Sequence, residues 1–289
     1  MTVLEIIQRS SEFLARKGVE SPRLQIELML AQVLQMPRLK LYLNFNRVLA
    51  ERELDTLRGL VQRRSAREPL QQILGSTSFC GLEMMVTRDV LVPRPETELL
   101  AERGWAFLEK RVEGGQSVVR ALDFGTGSGC LAITLAARVP QAQAHAIDIS
   151  EAALAIARQN ASRHKVADRI SFSAGNGFAA LPGGAQFDLL ISNPPYIPSG
   201  EIEKLEPEVR DFDPRAALDG GHDGLDYFRR LAVEGPSFLA QGGLLMLEFG
   251  DGQEQLLREL FLQQAWMIDA VENDYSKRPR ILIAHRPIS

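Results

Sequence analysis

From Pro93 onward, short apolar runs alternate with stretches of helical periodicity, and this alternation restricts the fold more than any other feature of the chain. A helix follows Pro95, then an apolar strand over 118–123, a glycine-rich loop and a helix over 129–138. A strand at 142–148, a helix over 150–164 and strands at 170–174, 187–192 and 244–249 continue the series. Runs that are continuously apolar imply burial on both faces, so these strands belong in a mostly parallel, doubly wound α/β sheet covered by helices.

Residues 1–73 differ in character. Val3, Leu4, Ile6, Ile7, Phe13 and Leu14 recur at helical spacing, and Gly18 suits a C-terminal cap. Ser21-Pro22 reads as an N-cap and first-turn proline opening a helix with Leu24, Leu28 and Leu30, and a further helix runs over 51–66. Short β-type runs around Cys80-Gly81 predict a hairpin. The expected organisation is an all-helical domain over 1–73, a β-hairpin linker over 74–92 and an α/β domain over 93–289.

With 45% apolar residues, a sizeable core is within reach and wholesale disorder is excluded. The 33 basic and 37 acidic side chains leave a net charge of −4, which argues against coating nucleic acid through global charge. The distribution is uneven: residues 1–73 carry 12 Lys/Arg against 8 Asp/Glu, so the excess of acid lies in the remainder. The arginines Arg52, Arg58, Arg63, Arg64 and Arg67 read as an exposed face, either for docking or merely solvated. Cys80 and Cys130 are too few for a disulfide scaffold. The charged N-terminus does not read as a signal peptide, and no apolar run approaches the ~20 residues of a membrane span. A soluble, cytoplasmic protein without a membrane partner is expected. His145, His164, His222 and His285 lack ligand spacing, so no metal is expected, and Cys130 reads as a small packing residue.

The segment VVRALDFGTGSG over 118–129 runs a strand into Gly125-Thr126-Gly127-Ser128-Gly129 at the start of a helix. Glycines there let a backbone turn tightly and approach a ligand outside the C-terminal edge of a parallel strand. A dinucleotide fingerprint needs a third small residue three positions after the second glycine, but Cys130 stands there. The next strand ends in Asp148, placed to accept hydrogen bonds from ribose hydroxyls, and Asp123 ends the first strand on the cationic side of such a site. Two strand-end carboxylates suit S-adenosylmethionine, which has no phosphate and carries a sulfonium, better than they suit NAD. To this point the chain resembles a class I methyltransferase.

The strand at 187–192 ends in Asn193-Pro194-Pro195-Tyr196. Two prolines halt the ladder and stiffen the backbone at the sheet's edge. A planar amide or aromatic-amine nitrogen is a poor nucleophile, and its needs are met by two fixed acceptors that take both N–H groups and aim the lone pair. The Asn193 side-chain oxygen and the Pro194 carbonyl are the candidates, with Tyr196 packing against the planar group. This fixes the type of nucleophile and leaves the substrate open.

Further segments narrow the choice: Glu68-Pro69 through Gly75, Phe79-x-Gly81, VPRPETE over 92–98, NPPYIP over 193–198 and ALDGGHDGLDYF over 217–228. Together with the helical N-terminal region, these resemble the peptide chain release factor glutamine methyltransferase family over essentially the whole chain. The resemblance implies a class I methyltransferase domain. It also implies methylation of the glutamine amide in the Gly-Gly-Gln motif of class 1 release factors, with S-adenosylmethionine as donor and S-adenosylhomocysteine as product. It maps cofactor contacts onto Gly125 to Gly129, Asp148 and Asn193, and substrate contacts onto Asn193, Pro194, Pro195 and Tyr196. The family's adenine-flanking position falls at Gly175-Asn176-Gly177-Phe178, where Asn176 or Phe178 takes that role and Gly177 joins the cofactor set. Arg94, Glu96 and Glu98 would organise the rim of the cleft. Alternatives are a ribosomal-protein glutamine methyltransferase, an adenine or guanine methyltransferase on nucleic acid, or a non-catalytic cofactor-binding module. The acidic C-terminal portion argues against direct nucleic-acid binding.

Overall fold

The computed structural model describes residues 1–287, and the chain divides into two compact units. The first comprises Met1–Ser76 together with Glu206–Phe212; the second holds residues 77–205 and the chain from 213 onward.

The first unit is helical: α1 (Val3–Arg16), α2 (Pro22–Val33), α3 (Arg38–Leu41), α4 (Glu51–Ser65) and α5 (Leu70–Leu74). A reciprocal capping box starts α1, with the Glu5 N–H donating to Thr2 Oγ1 and the Thr2 N–H to Glu5 Oε2. Gly18, at φ +74°, closes it as expected. Ser21 does not cap α2: it adopts left-handed φ/ψ and its hydroxyl makes no capping bond. The inward stripe of α2 is Ile26, Met29 and Leu30, whereas Leu24 is exposed. Val3, Ile6, Ile7 and Leu14 of α1 join them in a core that Leu41, Leu57 and Ile73 share, at about 1.5–3 kcal/mol for each large side chain removed from water.

Between the apolar residues of α2 sits Glu27, only 2% exposed. It accepts from Arg23 Nε, Arg38 Nη1 and Tyr42 Oη, which satisfies a charge that could not otherwise be buried. The expected arginine face is only partly a face. Arg52, Arg58 and Arg63 are exposed, but Arg64 is 4% exposed and donates to Gln25, the Glu68 carbonyl and Glu208. Arg67 pairs with Glu206 and Glu208. The cause is the excursion of residues 206–212, whose short helix Pro207–Arg210 brings carboxylates from far along the chain.

From Thr77 the second unit holds the hairpin of β1 (Ser76–Phe79) and β2 (Leu82–Met85), turned through Cys80 and Gly81, both at positive φ. Phe79 and Met84 are buried in the same cluster as the adjoining sheet. There follow α6 (Pro95–Glu113), β3 (Val119–Phe124), α7 (Cys130–Arg138), β4 (Ala142–Asp148), α8 (Glu151–Arg163), β5 (Ile170–Ala174), β6 (Phe187–Ser192), α9 (Asp226–Glu234), β7 (Leu239–Glu248), α10 (Glu254–Gln263), β8 (Met267–Asn273) and β9 (Pro279–His285). The sheet order is β5-β4-β3-β6-β7-β9-β8, parallel from β5 to β7, with β9 antiparallel to both β7 and β8. All six side chains of β6 are buried, the signature of a central strand covered on both faces.

Strand β3 pairs with β4 on one side and β6 on the other, so the direction of winding reverses at β3. The C-terminal ends at Phe124, Asp148 and Ser192 flank that reversal, where doubly wound sheets hold their ligands. The antiparallel pair β8–β9 was not part of the expected series.

Among the described residues, no helix is long and apolar enough to cross a membrane, and no group of His, Cys, Asp and Glu has the geometry of a metal site. His145 bonds Ser173, His164 bonds the Glu83 carbonyl and His285 pairs with Asp269.

Candidate active site

A cleft opens at the switch point, lined among others by Asp89, Val90, Leu91, Phe124, Gly125, Gly127, Asp148, Ala153, Asn176, Gly177, Asn193, Pro195 and Tyr227. The loop after β3 lies along one wall. Gly125 and Gly127 have φ of +73° and +54°, and no atom lies within 4 Å of where a Cβ would stand on either. The backbone presents itself bare to the cleft at these two positions. Gly129 serves another purpose: a Cβ there would lie 2.8 Å from Ile133 and 3.0 Å from Ala157. It lets α7 and α8 approach and does not line the cleft.

The two carboxylates of this region part ways. Asp148 points one oxygen at the Gly127 N–H (2.8 Å) and the other at the Ser150 N–H (2.9 Å), and lines the cleft with its remaining lone pairs. Asp123, expected on the cationic side of the ligand, is 1% exposed and absent from the lining. It accepts from Thr126 Oγ1 (2.6 Å) and the Ala132 N–H (3.0 Å), tying the loop to the start of α7. Burial pushes its carboxyl up to about 6. The side chains of Thr126 and Ser128 are buried as well, so the loop's contribution to the cleft is backbone.

Asn160 of α8, wholly buried, is a further fastener. Its Oδ1 accepts from the Met85 N–H, and its Nδ2 donates to the carbonyls of Met85 and Ser128. The hairpin, α8 and the glycine loop are thus joined at one side chain.

At the adenine-flanking position, Gly177 and Asn176 line the cleft, whereas Phe178 does not. Phe178 is 3% exposed and stacked on Phe238 in the core at 4.6 Å between ring centres, which removes it as a ring for a bound base. Arg230 holds Asn176 through both the side-chain and backbone oxygens.

The tetrapeptide follows β6, the neighbour of β3, and shares the cleft with the loop. Ser192 Oγ donates to the Phe124 carbonyl (2.6 Å), fastening the end of β6 to the end of β3. Asn193 and Pro195 line the cleft, and Pro194 is buried. Asn193 Nδ2 donates to Thr97 Oγ1 at 3.0 Å, and Thr97 Oγ1 donates to Glu248 Oε2 at 2.6 Å. Tyr196 packs at the edge of the second sheet-face cluster, and its carbonyl accepts from Gln253 Nε2 (2.9 Å). Burial pushes its phenol well above the ordinary range. Tyr196 is not among the residues lining the cleft, so the structure does not bring it to the pocket with Asn193. Residues 217–228 buttress the turn: the Ile197 N–H donates to the Leu218 carbonyl and the Gly220 N–H to the Ile197 carbonyl.

The rim residues have other duties than the sequence suggested. Glu98 accepts from the Cys80 N–H (2.8 Å) and so holds the hairpin turn. Arg94 pairs with Asp213 (2.6 Å), whose carboxyl burial pushes up to about 6. Neither lines the cleft, nor does Glu96. Thr97, Glu248, Asn160 and Tyr227 are site residues that the sequence alone does not single out. One signal was available: Glu248 is a charge at the end of an apolar strand, and such a residue must find a partner.

A doubly wound sheet whose switch-point cleft is lined by a bare glycine cradle and by the start of an Asn-Pro-Pro-Tyr turn defines a methyltransferase of the class I architecture. Solved structures agree on the fold. The chain is similar to a methyltransferase from Pyrococcus furiosus (TM-score 0.53, 17% identity, 78% of this chain and 99% of that one). It is also similar to the hMettl16 catalytic domain in complex with a MAT2A 3'UTR hairpin (TM-score 0.55, 16% identity, 80% and 81%). Family models match as PrmC N-terminal domain over residues 5–75 and Methyltransferase small domain over 103–205. Release factor glutamine methyltransferases of Geobacter sulfurreducens (44% identity, 90% of this chain and 88% of that one) and Chlorobaculum tepidum (41%, 96% and 95%) align with nearly the whole sequence. The chain belongs to the release factor glutamine methyltransferase family.

Proposed function

We propose that the protein transfers a methyl group from S-adenosylmethionine to the side-chain amide nitrogen of the glutamine in the Gly-Gly-Gln motif of class 1 release factors. The observation that carries the reading is Asn193 lining the same cleft as Gly125 and Gly127, in a chain aligned over nearly its whole length with relatives of that name.

The cleft suits this donor. Among its lining residues there is no lysine or arginine, while Asp148 and Asp89 are present. A pyrophosphate would find no compensating charge there, whereas a nucleoside with a sulfonium would. Gly125 and Gly127 would take its amino-acid end, Asp148 its ribose, and Val90, Leu91 and Ala153 its flat base, with Asn176 and Gly177 at the base edge. When bound, the donor supplies an electrophilic methyl carbon.

The chain's own residues prepare the acceptor. Asn193 Oδ1 and the Pro194 carbonyl accept the two N–H groups of the glutamine amide. Those contacts would orient the nitrogen lone pair and favour the positive charge that develops on nitrogen as the bond to carbon displaces a neutral thioether; one of the two held N–H protons then leaves to water. Pro194 and Pro195 stiffen the backbone that carries the Pro194 carbonyl and the Asn193 side chain. Tyr196 anchors the turn from the core side through its carbonyl bond to Gln253, and residues 1–73 dock the body of the release factor.

Incubating the protein with a class 1 release factor and isotopically labelled donor, then mapping the Gly-Gly-Gln peptide by mass spectrometry, tests the reading. One labelled methyl on the glutamine is the expected result. A label on a ribosomal protein or on RNA, with the release factor untouched, would overturn it.

A further inference from the structure

The carboxamide of Asn193 can turn over about its last side-chain bond with almost no change in shape, exchanging an acceptor for a donor. An inverted amide would offer N–H₂ to the substrate's own N–H₂, and no productive contact would form. Something must therefore distinguish the two ends.

We propose that Thr97, its hydroxyl proton drawn to Glu248, is a positioning residue for methyl transfer that fixes Asn193 with its oxygen toward the cleft. The inference rests on the functional reading above. A threonine hydroxyl has one proton, and here it goes to Glu248 Oε2 at 2.6 Å. The oxygen of Thr97 is left with lone pairs alone for Asn193, and the contact at 3.0 Å is made by Nδ2. With Glu248 accepting from Thr97, only the N–H₂ end of the amide completes this chain, so Oδ1 faces the other way. Thr97 and Glu248 are each 2% exposed, so solvent does not scramble the polarity.

The fold supplies the three groups from separate elements. Asn193 follows β6 and Glu248 ends β7, one step beyond the paired residues Ser192 and Leu247. Thr97 hangs from the first turn of α6. Neither Thr97 nor Glu248 lines the cleft, so their effect on the reaction passes through Asn193.

The test compares Thr97→Val, which keeps the shape and deletes the hydroxyl, with Thr97→Ala and Thr97→Ser. For each, kcat and KM on the release factor are measured together with Kd for S-adenosylhomocysteine and the melting temperature. With valine neither end of the amide finds a partner in that corner, and a small misplacement of an acceptor costs on the order of 10–100-fold in kcat. KM and Kd stay within about twofold, and serine recovers most of the loss. Alanine repeats the valine result if valine impairs folding. Undiminished kcat in Thr97→Val or Thr97→Ala would overturn the proposal. So would a loss matched by weaker donor binding, or one that serine fails to repair, since those mark a merely structural role. Failure of the unaltered protein to methylate any release factor would instead remove the functional reading itself.

Discussion

Asn193 is asked to do one thing, present an oxygen, and its removal is the most direct check on the proposed chemistry. Asn193→Ala should retain donor affinity within a few-fold, because Gly125, Gly127 and Asp148 are untouched. Turnover should fall about 100–1000-fold, as for loss of one preorganised polar partner of a transition state. Calorimetric titration with S-adenosylhomocysteine and a radiolabelled transfer assay measure the two quantities. Glu248 makes a second prediction at this scale. Burial pushes its carboxyl up to about 7 from the ordinary 4.5, against the pull of the Thr97 hydroxyl and of Arg280, with Glu96 reinforcing the rise and Arg94 opposing it. The folded protein then binds this proton more tightly than the unfolded chain does. Its contribution to stability is full below the unfolded value, declines as pH rises toward about 7 and is flat above that. Asp123 and Asp213 act in the same sense, and His145, whose pKa burial lowers, in the opposite one. Comparison with Glu248→Gln isolates the one group. Between about pH 5 and pH 8 the melting temperature of the unaltered protein should decline relative to that of the variant, and parallel curves would contradict the assignment.

Elements were legible in the sequence where their signal is local. The strands at 142–148, 170–174 and 187–192 coincide with β4, β5 and β6: β6 is buried along its whole length, while β4 and the edge strand β5 still carry buried apolar residues between exposed ones. β8 was missed for the converse reason. It is the outermost strand, carries Asp269 and Glu272, and is mostly solvated, so its residues have no periodic pattern to display. Asn193 was legible because prolines announce a fixed backbone, while Thr97 was not. Its meaning comes from a partner 96 residues away, and in the first turn of a helix a threonine reads as local chemistry. The glycine loop carries a prediction that separates its parts. Gly127→Ala forces a side chain to positive φ but pushes its Cβ into the cleft, so donor affinity should suffer more than stability. Gly129→Ala meets the same backbone penalty, about 1 kcal/mol. It adds collisions at 2.8 Å and 3.0 Å with Ile133 and Ala157, so its melting temperature should drop further. Thermal melts paired with titrations distinguish the two. If Gly129→Ala proved as stable as Gly127→Ala, α7 and α8 would not depend on that contact.

On the scale of the whole molecule, the chain leaves its second compact unit at Leu205 and rejoins it at Asp213. No shift in composition announces the detour, since a run of proline and acid reads as an ordinary loop. What holds residues 206–212 in the helical unit is electrostatic. Glu208 accepts from Arg64 Nη2 (2.8 Å) and from both Nε and Nη2 of Arg67 (2.6 Å each), and Gln72 Nε2 donates to the Phe212 carbonyl. Burial alone would raise the Glu208 pKa, but the bonds from Arg67 and Arg64 carry it below the ordinary carboxylate value. Glu208→Ala therefore strands a buried guanidinium. Arg64 keeps Gln25 and the Glu68 carbonyl as partners. The cost should accordingly sit somewhat below that of a buried pair broken outright, at about 2 kcal/mol. The loss should be confined to the unit that contains the bond. Hydrogen exchange should quicken across residues 1–76 while the amides of β3 and β4 and the affinity for S-adenosylhomocysteine remain as they were. Uniform quickening throughout the sheet would mean that the two units unfold as one, and the excursion would then be a strut of the entire protein and not of its helical part alone.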